Sequence, residues 1–202
     1  MKVTEPPIVI AALGDSITAG IPGWSPDPAE RRDRDMNDPE SQWEYWATQK
    51  DPRLQFRNYG IGRQETGEIA ARLQSCVFGA DILIVQGGIN NIVHGKEPET
   101  AEVDLRWMVQ QGKELGLRVA LADVLPWNNG PPEAAGKIRR LNEMIREIGV
   151  DEAVPVLPFH DTLVDPDQPD RMPSEWTAEG NHPSVLGHKR LGEIAFSLPP
   201  ER

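Results

Sequence analysis

Apolar residues gather in five short runs along the chain, and most of these runs stop at glycine, asparagine or proline. Ile8 to Leu13 is unbroken and ends at Gly14-Asp15-Ser16. A short apolar run without alternation reads as a strand covered on both faces, as in parallel sheets. Leu54 to Tyr59 alternates instead, with Gln55 and Arg57 between apolar neighbours, which suits a half-exposed edge strand. Asp81 to Gln86 ends at Gly87-Gly88, Leu117 to Leu125 ends at Pro126, and Val154 to Leu157 lies between prolines.

Helical spacing fills the gaps. Gln64 to Cys76 sets Ile69, Leu73 and Cys76 on one face, and Ala101 to Leu115 does the same for Leu105, Met108, Val109 and Leu115. Ile138, Leu141, Ile145 and Ile148 form a third stripe. Val185 to Ala195 is a fourth helix, with Ser184 as its N-cap. Strands that alternate with helices imply right-handed crossovers and a parallel sheet. The expected fold is α/β, an open three-layer α/β/α sandwich of five strands. No repeat and no second boundary is visible, so residues 1–202 are read as one domain. The exception is about 21–40, where Pro22, Pro26, Pro28 and Pro39 surround the charge cluster from Glu30 to Asp35. This insert reads either as a rim over a site, with Trp24 as its apolar surface, or as a solvated excursion.

Composition narrows the classes. The chain has 202 residues, 38% hydrophobic and 26% charged, which is ordinary for a globular protein. A formal net charge of -11 argues against charge-driven binding to nucleic acid or to an anionic membrane. No run approaches the roughly 18 apolar residues of a membrane span. Ile8 to Leu13 is too short for a secretory leader and follows Glu5-Pro6-Pro7, so a cytoplasmic protein is expected. Cys76 is the only cysteine and reads as a buried structural thiol.

In open parallel sheets ligands bind beyond the carboxyl ends of the strands. Here those ends carry Asp15 and Ser16, then Asn58 to Arg63, then Ile89, Asn90 and Asn91, then Trp127, Asn128 and Asn129. A serine, turn glycines and neutral amides suit acyl transfer, which needs a nucleophile and donors for an oxyanion. Ser16 is also a natural helix N-cap, and the two roles are compatible. Among the four histidines, His182 is preceded at three residues by Glu179 and followed by Pro183. A carboxylate at that spacing can orient an imidazole, although a surface turn would carry the same residues. His160, placed in a loop, and His188, placed in the last helix, read as structural. No His, Cys and acidic residues have zinc-site spacing, so no metal and no cofactor is expected.

Four segments then resemble, in order, the sequence blocks of SGNH (GDSL) hydrolases. Ala11 to Gly20 resembles the first, Asn58 to Arg63 the second, Val85 to Asn91 the third and Glu179 to Pro183 the last. The resemblance implies a flavodoxin-like five-stranded sheet in the order 2-1-3-4-5. It implies a serine esterase acting on a small-molecule ester, with Ser16 as nucleophile, His182 as base and Glu179 as its acid. The oxyanion would rest on the N–H of Ser16, a backbone N–H of the second block and the Asn90 amide.

Three positions depart from the pattern. Arg63 stands where glycine is usual, so its conformation should not be one that only glycine allows, and Gly62 is the alternative donor. Asn91 and Glu179 each replace aspartate, and the longer Glu179 must fold back to reach His182 unless a backbone carbonyl orients the ring. Asp15, Ile89, Asn91, Trp127, Asn128, Asn129 and Trp24 are expected to line the substrate. Short to medium acyl esters, aryl esters, thioesters and acetylated sugars all fit. The alternatives are an acyltransferase with the same nucleophile, or a non-catalytic relative that binds an acyl or sugar ligand. A dinucleotide site at Gly60-Ile61-Gly62 fails, because Glu65 stands where a third glycine is wanted.

Overall fold

Five parallel strands are hydrogen-bonded in the order β2-β1-β3-β4-β5 in a computed structural model that describes residues 6–201. They are β1 (Ile8–Gly14), β2 (Leu54–Gly60), β3 (Ile82–Val85), β4 (Arg118–Ala122) and β5 (Val156–Leu157). The helices are α1 (Ser16–Ala19), α2 (Pro28–Arg34), α3 (Trp43–Lys50), α4 (Thr66–Ala71), α5 (Leu73–Cys76), α6 (Ile89–Val93), α7 (Pro98–Glu114), α8 (Ala134–Asp151), α9 (Phe159–Leu163) and α10 (Val185–Arg190). A π-type turn over Leu191–Ala195 extends α10.

Strand periodicity divides the core in two. Ala11, Leu13, Leu83, Val85, Val119 and Leu121 point to one face, where α4, α5, α7 and α8 cover them. Ile10, Ala12, Ile82, Ile84, Ala120 and Ala122 point to the other, against Trp43, Phe159, Leu163 and Leu191. Alternate side chains of one strand leave on opposite faces, so an unbroken apolar run is what a doubly covered strand requires. β2 is an edge strand, and its exposed Gln55 and Arg57 account for its alternation.

Several elements differ from expectation. The segment Gln64 to Cys76 is broken at Arg72, whose N–H bonds to the carbonyls of Ile69 and Ala70 in a tightened turn. Leu115 is half-exposed, because α7 ends at Glu114 and leaves it in the cap. His160 stands in the first turn of α9 rather than in a loop, with its N–H 2.6 Å from Asp123 Oδ1. The insert holds α2, N-capped by Asp27, and helix α3 follows it without a forerunner in the sequence pattern. Only eight residues long, α3 has no side-chain cap and buries Trp43, Glu44 and Ala47, a face too mixed to read as amphipathic.

His188 is fully buried, and neither ring nitrogen has a hydrogen-bond partner among the described residues. Burial pushes its pKa down to about 3, and charge on His182 acts in the same direction. An unfolded histidine titrates near pH 6.5. Below that pH the unfolded chain takes up a proton that the folded chain refuses until about pH 3, so stability falls as the pH drops through this window. At pH 4.5 the loss amounts to about 2–3 kcal/mol. Burial raises Asp15 to about 6 and Asp123 to about 7, which gives stability lost as pH rises, the opposite sense. Both aspartates are common to wild type and a His188 variant, so their contributions cancel in the comparison. His188→Leu should therefore lose less stability between pH 7 and pH 4.5 than wild type, by about 2–3 kcal/mol in urea unfolding. Equal losses would show that the ring is not held neutral.

Candidate active site

The carboxyl end of β1 delivers Ser16 as the first residue of α1. Asp15 is the N-cap, its Oδ1 accepting the Ile17 N–H at 2.9 Å, so Ser16 does not have the capping role its position suggested. The cap is built into the core. Asp15 is fully buried, and Gln86 Oε1 accepts both its N–H (3.3 Å) and the Thr18 hydroxyl (3.0 Å). Burial raises the Asp15 pKa to about 6, against the lowering effect of the Ile17 and Gln86 hydrogen bonds and the charges of His182 and Arg72. Asp15 therefore anchors the turn from beneath and does not line a cleft.

Ser16 Oγ lies 2.9 Å from His182 Nε2, and His182 Nδ1 is hydrogen-bonded to Glu179 Oε1. The longer glutamate does fold back, and the three side chains form one line. Their exposures are graded: Ser16 is buried, the His182 side chain is 15% exposed and that of Glu179 is 48% exposed. The loop that carries the base is tied down on itself. Thr177 Oγ1 donates to the His182 carbonyl at 2.9 Å and accepts the Gly180 N–H at 2.8 Å.

The loop after β2 passes beside the serine. A Cβ built on Gly62 would lie 3.9 Å from Ser16 Cβ and 2.8 Å from Ile21 Cδ1, so a side chain there would have to displace Ile21. The amide N–H groups of Ser16, Gly62 and Arg63 donate to no protein acceptor among the described residues. Arg63 has φ +69°, the left-handed conformation that glycine takes freely and other residues adopt at a cost of about 1–2 kcal/mol. Arginine thus holds a conformation that glycine favours but that is not confined to glycine, as the substitution requires. Asn90 donates one amide N–H to the Gln64 carbonyl at 2.9 Å. A primary amide has two N–H groups, so one remains for a ligand.

Other residues named from sequence have different partners. Asn91 is buried, and its amide is consumed by Thr66, accepting from N–H at 3.1 Å and donating to Oγ1 at 3.1 Å. Asn128 brackets Met172 with its side-chain amide, and Asn129 donates to the Glu179 carbonyl at 3.0 Å. Together with the Asn128 N–H on the Gly180 carbonyl (2.7 Å), they brace the histidine loop from the β4 side. Trp127 packs against the core beside α8. Trp24 packs within the insert, under the Arg31 guanidinium 4.8 Å from its ring centroid. Ile89 is buried beside Asn90 and faces a small hollow with Ile17 and Asn181.

Sequence reading missed Arg72 and Gln64. Arg72 donates to the Gly14 carbonyl (2.7 Å) and to Gln64 Oε1 (2.8 Å), so it joins the nucleophile strand to the donor loop. The only trace in the sequence is an arginine in the middle of an apolar-faced segment. A larger cleft of about 220 Å³ lies among Lys113, Arg118, Pro155 and Pro199. It sits at the start of β4, the end of the strands opposite Ser16. Among the described residues no group of three or more His, Cys, Asp and Glu side chains could hold a metal ion. No helix there is long and apolar enough to cross a membrane.

A family model described as the GDSL-like lipase/acylhydrolase family matches residues 12–190. No curated protein matches. Solved structures do: a G-D-S-L family protein from Desulfitobacterium hafniense has a TM-score of 0.75 at 22% identity, covering 92% of this chain and 95% of that one. A member of the lipolytic G-D-S-L family from Veillonella parvula has a TM-score of 0.73 at 18% identity, covering 92% and 94%. A mutant acetyl-xylooligosaccharide esterase from Geobacillus has a TM-score of 0.73 at 19% identity, covering the whole of both chains. At these identities the likeness is one of fold.

Proposed function

The chain belongs to the GDSL-like lipase/acylhydrolase family and is a carboxylic ester hydrolase, and we propose that it acts through an acyl-enzyme on Ser16. The observation that carries this reading is the hydrogen-bonded line from Ser16 Oγ through His182 to Glu179. His182 Nε2 takes the hydroxyl proton as Oγ attacks the ester carbonyl, and Glu179 holds the ring by its Nδ1–H and stabilises the imidazolium. The carbonyl oxygen becomes an oxyanion, stabilised by the N–H of Ser16, a backbone N–H at Gly62 or Arg63 and the unused N–H of Asn90. His182 then gives its proton to the departing alcohol. Water repeats the sequence on the acyl-enzyme and frees the acid.

Covalent capture tests the nucleophile. A fluorophosphonate should label wild type at one residue, recovered by peptide mapping as Ser16, with loss of p-nitrophenyl acetate turnover in proportion to labelling. Labelling elsewhere, or turnover that survives full labelling of Ser16, would overturn the mechanism.

A further inference from the structure

The turn beside Ser16 is pinned at both ends to one oxygen. The Gly14 carbonyl, two residues before Ser16, accepts the Ile61 N–H at 3.0 Å and an Arg72 Nη2–H at 2.7 Å. Arg72 gives its Nε–H to Gln64 Oε1 at 2.8 Å. Between Ile61 and Gln64 stand Gly62 and Arg63, whose N–H groups have no protein acceptor among the described residues. Nε and Nη2 lie on one edge of a rigid planar group, so they fix the separation of the two oxygens they bond. Asn90 refers to the same residue, because it donates to the Gln64 carbonyl at 2.9 Å. His94 and Lys96 also bond this loop, both at the Glu65 carboxylate, but they tie it to the end of α6 and the turn after it. Among the described residues Arg72 is the one whose side chain bonds both the loop and the strand that delivers the nucleophile.

The turn needs to be held. Arg63 has φ +69°, and an arginine free to choose prefers the right-handed region by about 5–30-fold. A conformation of this kind persists where its surroundings over-determine it. With Ile61 and Gln64 both pinned, φ at Arg63 cannot change sign without breaking the bond to Gly14 or the bond to Arg72. We propose that Arg72, acting through Gln64, is a positioning residue of the oxyanion hole: it holds the Arg63 turn in its left-handed form, with the free N–H groups beside Ser16. The proposal rests on Ser16 as the nucleophile and on this turn as a donor to the oxyanion.

Arg72→Met and Gln64→Ala break the link from its two sides. Each should lower kcat for p-nitrophenyl acetate about 5–30-fold and keep KM within about 3-fold of wild type, since the donors act on charge that develops in the transition state. The double variant should fall no further than the singles, because one link is broken once. Arg63→Gly takes φ +69° without steric cost, so in the Arg72→Met background it should raise kcat severalfold. A general loosening of the fold would not be relieved by glycine, and would show in thermal unfolding and in KM. Should Arg72→Met not fold, Gln64→Ala with and without Arg63→Gly decides the matter, because Arg72 then keeps its bond to Gly14. A kcat within about 2-fold of wild type in both single variants overturns the proposal, as do losses that multiply in the double variant or that Arg63→Gly leaves unrepaired. Fluorophosphonate labelling keeps the premise separate. An adduct at Ser16 in wild type and variants leaves the nucleophile standing whatever kcat does, and no adduct in wild type removes the nucleophile and the proposal with it.

Discussion

Ser16→Ala is expected to lower kcat for p-nitrophenyl acetate by about 10⁶-fold, and His182→Ala in the same protein to lower it little further. Serine and histidine act as one device: Oγ is a poor nucleophile until Nε2, 2.9 Å away, takes its proton. Once either is lost, the other has no step to perform. What survives is the contribution of the oxyanion donors and of binding, about 10³–10⁴ over the uncatalysed rate. The serine is buried and its hydroxyl bonds only to His182 among the described contacts, so the alanine should fold as wild type does. Equal thermal unfolding would check this. Ser16→Ala, His182→Ala and the double variant should share one low kcat. A single variant that keeps more than about 1% of wild-type kcat, or a double variant far below both singles, would show that the two side chains do not work together.

The sheet was legible because its strands are doubly covered. Ile8 to Leu13 and Ile82 to Val85 are apolar without interruption, since neighbouring residues are buried on opposite faces. β2 was legible for the converse reason, because an edge strand keeps polar side chains such as Gln55 and Arg57 in water. Rules about where parallel sheets bind ligands then brought Ser16, Gly62, Arg63 and Asn90 to one edge. Whether an asparagine at that edge faces a ligand or a neighbouring loop was not legible. Asn128 and Asn129 spend their amides on Met172 and Glu179, residues more than 40 positions away. Asn90 and Asn91 are adjacent and chemically identical, yet one meets the Gln64 carbonyl and the other is enclosed by Thr66. Adjacent positions on a helix point about 100° apart, and only the packed tertiary structure says which direction is the cleft. The role of Arg72 was hidden in the same way, because Gly14 is 58 residues distant and reaches it only through the sheet.

Asn90→Ala should lower kcat about 100- to 1000-fold and leave KM nearly unchanged. The amide is held by its bond to the Gln64 carbonyl, which fixes the rotamer and aims the second N–H before substrate arrives. A donor positioned in advance acts mainly on the charge that develops in the transition state, so its loss appears in kcat. The same deletion frees the Gln64 carbonyl, and that group precedes Glu65, which caps α4. A structural effect by that route would loosen the donor loop and show in thermal unfolding as well as in KM. Asn90→Asp separates the two. It keeps the shape, offers no N–H when ionised and sets a negative charge beside the oxyanion, so it should fall further than alanine. If alanine costs under 10-fold, or if aspartate is the more active of the two, the oxyanion rests on the backbone donors of Ser16 and the Gly62-Arg63 turn alone. The free N–H groups of those residues would then have to supply the whole of the stabilisation that three donors are proposed to share.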